Sequence, residues 1–473
     1  EVHYGGDYRV ASAYLTRHGG VYSPAANDDT EKDDPWFYPA PDRYNNGYER
    51  YYPREIAWYT AGENLERIDT IKQAVMDHGV VGTCMCFSGS FIDDYIHYQP
   101  PDDDTPPNHA VAIIGWDDGM ETQAPEPGAW LVKNSWGSGW GNDGYFWISY
   151  YDKWCGQHPE MGAVSYQQVE LMQYDHLYCH DYHGWRDTMK RASDAFNAFT
   201  ATNDTLLEAV GFYTAADAIS YTVTVYDRFA DGALQDELAT ASGTLEHTGY
   251  HTVDVGPVAF TANDDFYLQL SLSDGGQPFD RTSEVPVLLG CQRQGTTVTS
   301  SASRGESYVH VGQRWLDVTY IRPTANFCIK GFANPWTPTT PDLACSGSLS
   351  WSDVRPGRQV TGSFTVENIG EEHSSLDWEI TEWPEWGDWT FTPTSRDNIK
   401  PGCPASVEVT VDIPDQEDSS FSGTLTVVNT ENSSDTATIP ISVSTPKTST
   451  LPPLLKLFIQ RFPVLQQLLY HLL

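Results

Sequence analysis

The chain has 473 residues, more than one hydrophobic core usually supports, so about three domains are expected. It has 27 basic and 65 acidic residues and a net charge of −38, so its surface repels polyanions and excludes nucleic acid as a partner. An acidic coat is typical of secreted proteins and also of proteins from saline habitats. Frequent Gly and Pro, 38 and 30 residues, favour β-rich domains over helical bundles.

The cysteines leave two interpretations open. An even count of eight fits secretion and disulfide bonds, with Cys345 and Cys403 as a candidate pair, but reduced buried thiols fit equally well. The chain begins at Glu1 without a signal peptide, and no apolar run is long enough to span a bilayer.

Residues 1–170 mix helix and strand. Apolar residues at helical spacing predict a helix from Val10 to Arg17, stopped by two glycines, and a second helix from Asp69, its expected N-cap, to Gly79. The following runs predict four strands: Val80–Phe87, Ala110–Ile114, Trp130–Lys133 and Tyr145–Tyr150.

The rest of the chain changes character twice. Short alternating runs over residues 171–335, such as Tyr221–Tyr226, predict an antiparallel β-sandwich. After a Pro-containing linker, residues 336–446 have the length and strand pattern of one immunoglobulin-sized sandwich. Residues 447–473 form two short amphipathic stretches, predicted as a helical tail that docks to a cell surface or a partner, with a disordered remnant as the alternative.

Two segments in the first domain carry the chemistry. One is Asn108-His109-Ala110 at the start of a predicted strand, and the other is Asn134-Ser135-Trp136 after the next strand. A cysteine peptidase needs an imidazole to activate its thiolate and protonate the leaving amine. That imidazole needs an acceptor on its second ring nitrogen, and an aromatic ring that keeps water off the pair. His109, Asn134 and Trp136 fit these three roles, and nothing in the motifs requires a metal or a cofactor.

These segments resemble the histidine and asparagine motifs of the papain family of cysteine peptidases, and the resemblance covers about residues 1–165. It implies an α+β papain-like domain that hydrolyses peptide bonds in protein substrates. Gly5-Gly6 resembles the family's Gly-Gly element, which would place Gly5 and Gly6, with Asn108 and Ala110, at the substrate cleft. The alternative for the two glycines is a turn before the helix.

The resemblance also has a gap. The family's nucleophilic Cys lies about 130–150 residues before the His and Asn, which falls about 20–40 residues before Glu1. The nucleophile and the oxyanion-hole Gln are therefore absent from this chain, and no other Cys lies at the required helix N-terminus. A truncated enzyme is expected, and a pseudo-peptidase without a nucleophile is the alternative.

The later domains resemble modules that follow the peptidase unit in some prokaryotic relatives. Residues 171–335 resemble a lectin-like domain, with carbohydrate binding or a structural spacer as alternatives. Residues 336–446 resemble bacterial surface immunoglobulin-like modules. The sequence thus predicts an extracellular or cell-surface endopeptidase of three domains and a tail, with cell-surface carbohydrate as a second partner. The rival hypothesis is a non-catalytic adhesion protein built on a pseudo-peptidase scaffold.

Overall fold

The structure is a computed structural model that describes residues 6–17, 21–23, 49–285, 296–337 and 339–447. These residues divide into two compact units, with the boundary between residues 337 and 338. The described part contains two α-helices, Tyr8–Leu15 (α1) and Ile68–His78 (α2), and is otherwise built mostly of strands. Neither helix has the length and apolar character needed to cross a membrane.

The described residues of the first unit form 24 strands and one 3-10 helix, Val318–Tyr320. The strands of its N-terminal half are β1 Val21–Ser23, β2 Glu49–Tyr59, β3 Val81–Met85, β4 Ile92–Asp93, β5 Ile96–His97, β6 His109–Asp117, β7 Ala129–Lys133, β8 Tyr145–Ser149 and β9 Ala163–Leu171. Those of its C-terminal half are β10 His176–Tyr178, β11 Asp187–Met189, β12 Asp194–Thr200, β13 Thr205–Thr214, β14 Ile219–Ala230, β15 Ala233–Leu245, β16 Thr248–Phe260, β17 Asp265–Leu272, β18 Gln277–Asp280, β19 Ser283–Val285, β20 Thr296–Val298, β21 Ser307–Val311, β22 Arg314–Asp317, β23 Asn326–Phe327 and β24 Ile329–Pro335.

One sheet runs through both halves of this unit. Its strand order is β10-β24-β13-β16-β2-β9-β3-β6-β7-β8-β5-β4, with β1 beside β2. The two halves join where β16 pairs antiparallel with β2, Tyr250 opposite Ile56. Both residues are fully buried, so the junction is part of the core of the unit.

The two helices differ in how their N-termini are capped. Asp7 caps α1 by accepting a 2.6 Å hydrogen bond from the Val10 N–H, as an N-cap carboxylate does. The cap position of α2 is Arg67, without a side-chain cap bond, so the expected cap at Asp69 is wrong. Asp69 lies in the first turn, where its charge still complements the helix dipole. Gly79 ends α2 with a φ of 83°, a conformation that glycine adopts without strain.

The C-terminal half is a sandwich. A six-stranded sheet of order β15-β14-β17-β12-β21-β22 faces the β10-β24-β13-β16 part of the long sheet. Buried side chains from both sheets, such as Leu207, Phe212, Val223 and Leu268, form one core. The strand predicted over Tyr221–Tyr226 is confirmed and lies within the longer β14.

The second unit is also made of two sheets, of orders β25-β27-β31-β29 and β26-β33-β32-β28-β30. The strands are β25 Leu343–Ser346, β26 Leu349–Trp351, β27 Gln359–Asn368, β28 Leu376–Glu382, β29 Asp388–Thr392, β30 Ser395–Ile399, β31 Ala405–Asp412, β32 Ser420–Asn429 and β33 Thr436–Ser444. In β31 every second residue is buried, as expected for a strand with one face in the core. Trp378 is fully buried between the sheets.

The cysteines in the described part favour the reduced interpretation. Free thiols are found at Cys84, Cys86, Cys155, Cys179, Cys328 and Cys345. The candidate bond between Cys345 and Cys403 is therefore not formed, and the core of the second unit is held by packing. The predicted helical tail lies outside the described residues, except for Lys447.

Candidate active site

His109 and Asn134 lie at the same end of two neighbouring strands. His109 is the first residue of β6, and Asn134 directly follows the last residue of β7. The strands pair antiparallel, with Ala112 opposite Lys133, so the start of β6 lies beside the end of β7. The Nε2 atom of His109 is 2.8 Å from Oδ1 of Asn134, which is the distance of a good hydrogen bond.

The backbone fixes which way the amide of Asn134 faces. The N–H of Ser135 donates a 2.8 Å hydrogen bond to Asn134 Oδ1, and this oxygen also faces His109. Because Oδ1 can only accept, Nε2 of His109 carries the proton and Nδ1 is left as the basic nitrogen. The arrangement holds the imidazole in one tautomer and one orientation.

Aromatic rings cover this pair. The indole of Trp136 stacks on His109 with the ring centroids 4.5 Å apart and the planes 22° apart. Phe87 and Trp140 meet Trp136 edge to face at 4.6 and 5.1 Å, which fixes its position. Burial lowers the pKa of His109, and the hydrogen bond with Asn134 opposes this shift.

The other residues predicted at the substrate cleft are placed differently. The side-chain amide of Asn108 bonds both ways to the backbone of Phe87, accepting at 2.7 Å and donating at 3.1 Å. It thus positions a loop, and only its main chain remains for a substrate. Ala110 pairs with Cys84 across β6 and β3. Gly6 is partly exposed before α1 with open space around it, and Gly5 lies outside the described residues.

A cavity of about 550 Å³ connects several of these positions. Its lining combines predicted residues with others that no motif marked: Tyr8, His78, Val80, Gly82, Ala110, Val111, Ala112, Lys133, Asn134, Ser135, Val164 and Tyr166. Tyr8 is a functional candidate that the sequence did not reveal. Its hydroxyl donates to the carbonyl of Thr83 at 3.2 Å and its ring covers Gly82, so α1 forms one wall of the cavity. Its position directly after Asp7, the N-cap residue of α1, was the only sequence signal that could have indicated this role.

The cysteines near this region are not placed as nucleophiles. Cys84, Cys86 and Cys155 are at most 1% exposed. Burial raises the pKa of all three thiols, so they are protonated and unreactive near neutral pH. A fully buried histidine nearby, His97, has Nδ1 3.1 Å from Asp152 and Nε2 2.9 Å from the carbonyl of Cys86, which is a structural arrangement.

Comparison with known proteins identifies the class. Residues 4–165 match the model of the papain family of cysteine proteases, and residues 177–333 match the lectin-like domain. The chain carries a papain-family C1 peptidase domain followed by a lectin-like domain.

Individual relatives agree with this assignment. The cathepsin B-like cysteine proteinase 1 of Ostertagia ostertagi is 30% identical over 26% of this chain and 34% of its own length. The thiol protease aleurain of Arabidopsis thaliana is 28% identical over 32% of this chain and 39% of its own length. A viral cathepsin of Heliothis zea nuclear polyhedrosis virus is 43% identical over 12% of this chain and 14% of its own length. The chain thus spans well under half the length of the curated relatives it matches.

Solved structures share the fold over both domains. The clostridial cysteine protease Cwp84 after propeptide cleavage has a TM-score of 0.55 and 22% identity over 69% of this chain and 81% of its own. The structure of the protease and lectin-like domains of Cwp84, described as a surface layer associated protein of Clostridium difficile, has a TM-score of 0.53 and 22% identity over 69% and 73%. The likeness shows the fold of the peptidase and lectin-like pair.

Proposed function

We propose that this chain is part of a papain-type cysteine endopeptidase. In it, His109 acts as the acid–base partner, Asn134 orients the imidazole, and Trp136 shields the hydrogen bond between them. The observation that carries the proposal is the 2.8 Å contact between His109 Nε2 and Asn134 Oδ1, which leaves Nδ1 free to face a thiol. Gly5, Gly6, Asn108 and Ala110 would line the path of the extended substrate.

The nucleophile belongs to the proposal as well. The cysteines buried near the site are protonated, so we assign the attacking thiolate and the oxyanion-hole Gln to sequence that precedes Glu1 in the parent protein. A thiolate beside the Nδ1 nitrogen would attack the peptide carbonyl and form a thioester. The imidazolium would then protonate the leaving amine.

The test begins with the coding sequence about 60 codons upstream, a window set by the family spacing. A Gln followed by Cys-Trp is expected. The extended protein should cleave a fluorogenic peptide, and His109→Ala should reduce kcat/KM by about 10²–10⁴-fold because general acid–base catalysis is lost. Asn134→Ala should cost about 10²-fold through misorientation of the ring.

The matched control is His310→Ala, which removes an exposed histidine of β21. It should leave kcat/KM unchanged. Ser, Gly or Ala at the position of the upstream Cys would contradict the peptidase and favour the rival, a non-catalytic adhesion protein on the same scaffold.

A groove in the lectin-like domain supports a second function, carbohydrate binding. It encloses about 650 Å³ and combines aromatic rings with polar side chains, among them Phe199, Phe229, Tyr267, Tyr308, His180, Asp265, Arg304 and Glu306. Sugars offer apolar C–H faces to aromatic rings and hydroxyls to polar groups. The ring of His180 stacks on Phe199 at 4.5 Å, which fixes one polar group at the edge of an aromatic surface.

Affinity electrophoresis of the full chain in gels with soluble cell-wall polysaccharide tests this function. Tyr267→Ala should weaken the affinity for the polysaccharide about 5-fold, since a ring contact contributes about 1 kcal/mol. Tyr95→Ala, at a 39% exposed tyrosine of the peptidase domain, is the control and should not change it. Equal retardation of the wild type and Tyr267→Ala would contradict carbohydrate binding in this groove and favour the alternative, a structural spacer.

The remaining assignments complete the proposal. The protein acts outside the cell or at its surface, in line with the surface layer association of Cwp84. The domains are 1–170, the peptidase; 171–335, the lectin-like domain; and 336–446, an immunoglobulin-like module. The segment 447–473 docks to a surface or partner.

A further inference from the structure

The lectin-like domain buries a lysine, which is rarely fully buried unless it is paired. Lys330 lies on β24, and its side chain has no exposed surface. Its Nζ contacts Oδ2 of Asp181, whose side chain is equally buried in the loop after β10. The aromatic ring of Tyr213 lies 5.7 Å from this nitrogen, and Cys328 is buried beside the pair. The pair therefore has an apolar and aromatic surrounding.

A third ionisable group completes the cluster. Asp280, on β18, is 1% exposed. Its Oδ2 accepts a 3.3 Å hydrogen bond from the His183 N–H, while its Oδ1 has no hydrogen-bond partner among the described residues. Burial and the charge of Asp181 raise the pKa of Asp280 to about 7. Near neutral pH a large share of the Asp280 carboxyl groups is therefore protonated, close enough to Asp181 and Lys330 to be affected by their charges.

Ionic pairs in such surroundings are costly. Removing both charges from water costs several kcal/mol per ion, which their mutual attraction repays only with full hydrogen bonding. Burial lowers the pKa of Lys330, but the charge of Asp181, together with the neighbouring acidic groups, outweighs this effect and raises it, so the pair is mainly ionic. In its minor form one proton has moved from Nζ to Asp181, which gives a neutral amine and a neutral acid without changing the net charge. The two groups are then the reactants of an amide condensation, already in contact.

We propose that Lys330 and Asp181 become covalently joined by an isopeptide bond. The lone pair of the neutral Nζ attacks Cγ of Asp181, and the new N–C bond forms as one C–O bond breaks. The oxygen leaves as water, with one hydrogen from the acid and one from the amine. Asp280 gives a proton to the leaving oxygen and takes one from the nitrogen, so it is regenerated.

The bond would connect two distant parts of the chain, because Asp181 and Lys330 are 149 residues apart. The loop of Asp181 also holds α1: the carbonyl of Tyr182 accepts from Arg17, and Arg186 lies 3.7 Å from Asp7. A covalent link at Asp181 would tie this loop to β24. It would thereby hold α1, which the loop contacts, in a fixed position. Like a disulfide across a long loop, it would also restrict the unfolded chain.

The intact mass of the full chain, measured after reduction and denaturation, tests the proposal. The expected mass is that of the sequence less one water. Trypsin should fail to cut after Lys330, and a branched peptide that contains both Asp181 and Lys330 should appear. A mass that equals the sequence, with separate linear peptides for the two residues, would overturn the proposal. Water loss mapped elsewhere, at Glu1 or at an Asp-Gly pair, would overturn it equally.

Variants separate the roles of the three groups. Lys330→Met and Asp181→Ala should each restore the full mass. Asp280→Asn should slow formation by about 10²–10⁴-fold, so the full mass is seen soon after synthesis. Asp217→Asn, at a carboxylate paired with Arg67, is the control and should keep the loss of water. The mass of the wild-type chain is sufficient to test the proposal. The test therefore does not depend on whether each variant folds.

Discussion

Asn134 Oδ1 accepts from both the imidazole of His109 and the N–H of Ser135. The second bond is local in sequence and sets the amide orientation, and the first then sets the tautomer of the ring. An Asp would offer the same acceptor but would add a full negative charge beside the imidazole. The neutral amide orients the ring without holding it permanently charged.

The stack of Trp136 on His109 makes a prediction about the pKa of the imidazole. Burial is the main cause of its lowered pKa, and Trp136 supplies part of that burial. Trp136→Ala should therefore raise the titration midpoint of His109 toward the ordinary value of about 6.5. NMR titration of the ring protons measures the midpoint. The control is Trp383→Ala, at an exposed tryptophan of the second unit, which should leave the midpoint of His109 unchanged. An unchanged midpoint in Trp136→Ala would show that the stack does not contribute to the burial.

At this scale the sequence motif predicted His109, Asn134 and Trp136 as one group from the chemistry of each residue type, and the three side chains are in contact. It did not reveal that the amide of Asn108 is occupied by the backbone of Phe87, since that contact joins two loops. The same holds for Tyr8, whose place in the cavity depends on how α1 packs against β3.

Strand β3 and the residue that follows it contain two buried cysteines. Cys84 and Cys86 lie two residues apart, and both are buried, with raised thiol pKa values. Both residues fall in the predicted strand Val80–Phe87, but β3 ends at Met85, so only Cys84 lies on the strand.

This burial predicts that the native chain resists alkylation. Iodoacetamide at pH 8 should not label Cys84, Cys86 or Cys155 until the chain is unfolded, because the protonated, enclosed thiols are poor nucleophiles. Peptide mapping of the labelled chain reads the result. Ser90→Cys, on an exposed loop, should label rapidly in the native state and serves as the positive control. Native labelling at Cys84 or Cys86, with peptide turnover to match, would reassign the nucleophile.

Helix α1 shows where periodicity reaches its limit. Of the predicted stripe, Ala13 is buried, but Val10 and Tyr14 are 41% and 43% exposed. Ser12, which is not part of the stripe, is buried as well. The buried face was chosen by small residues that allow close packing, as where Gly184 approaches Ala13. In α2 the expected Ile71, Ala74 and Val75 are buried, and only His78 of that face is exposed.

The whole first unit depends on the continuous sheet. Tyr52, Ile56 and Trp58 of β2 pack in a core shared with Tyr213 and Tyr250 of the lectin-like half. A chain that ends at residue 170 would expose this core and leave the edge of β2 unpaired.

We therefore expect residues 1–170 alone to be insoluble or unfolded, and residues 339–447 alone to fold. Circular dichroism and thermal denaturation of the two pieces measure this. The second unit has its own core, so the fragment 339–447 is the control that should fold and unfold cooperatively. A cooperatively unfolding 1–170 fragment would show that the peptidase half does not need the shared sheet.

His251 of β16, at the same junction, gives the unit a pH dependence. Burial lowers its pKa to about 4, so the folded state binds fewer protons than the unfolded state below pH about 6.5. Stability is therefore fully present above that pH and is lost as the pH falls toward 4, by about 3 kcal/mol. His251→Gln should flatten this part of the profile in urea denaturation, whereas the exposed His310→Gln should keep it. Identical slopes for His251→Gln and the wild type would contradict the assignment.

The sequence by itself determined the local features: strand positions, the end of α2 at Gly79, and the His109, Asn134 and Trp136 motif. These depend on side-chain alternation, backbone preference and chemical role, which are properties of short segments. Only the tertiary structure decided that two domains share one sheet, that Asp181, Asp280 and Lys330 meet, and that the thiols are enclosed. Such features join residues far apart in the chain, and no periodic pattern in the sequence encodes which distant strands pair.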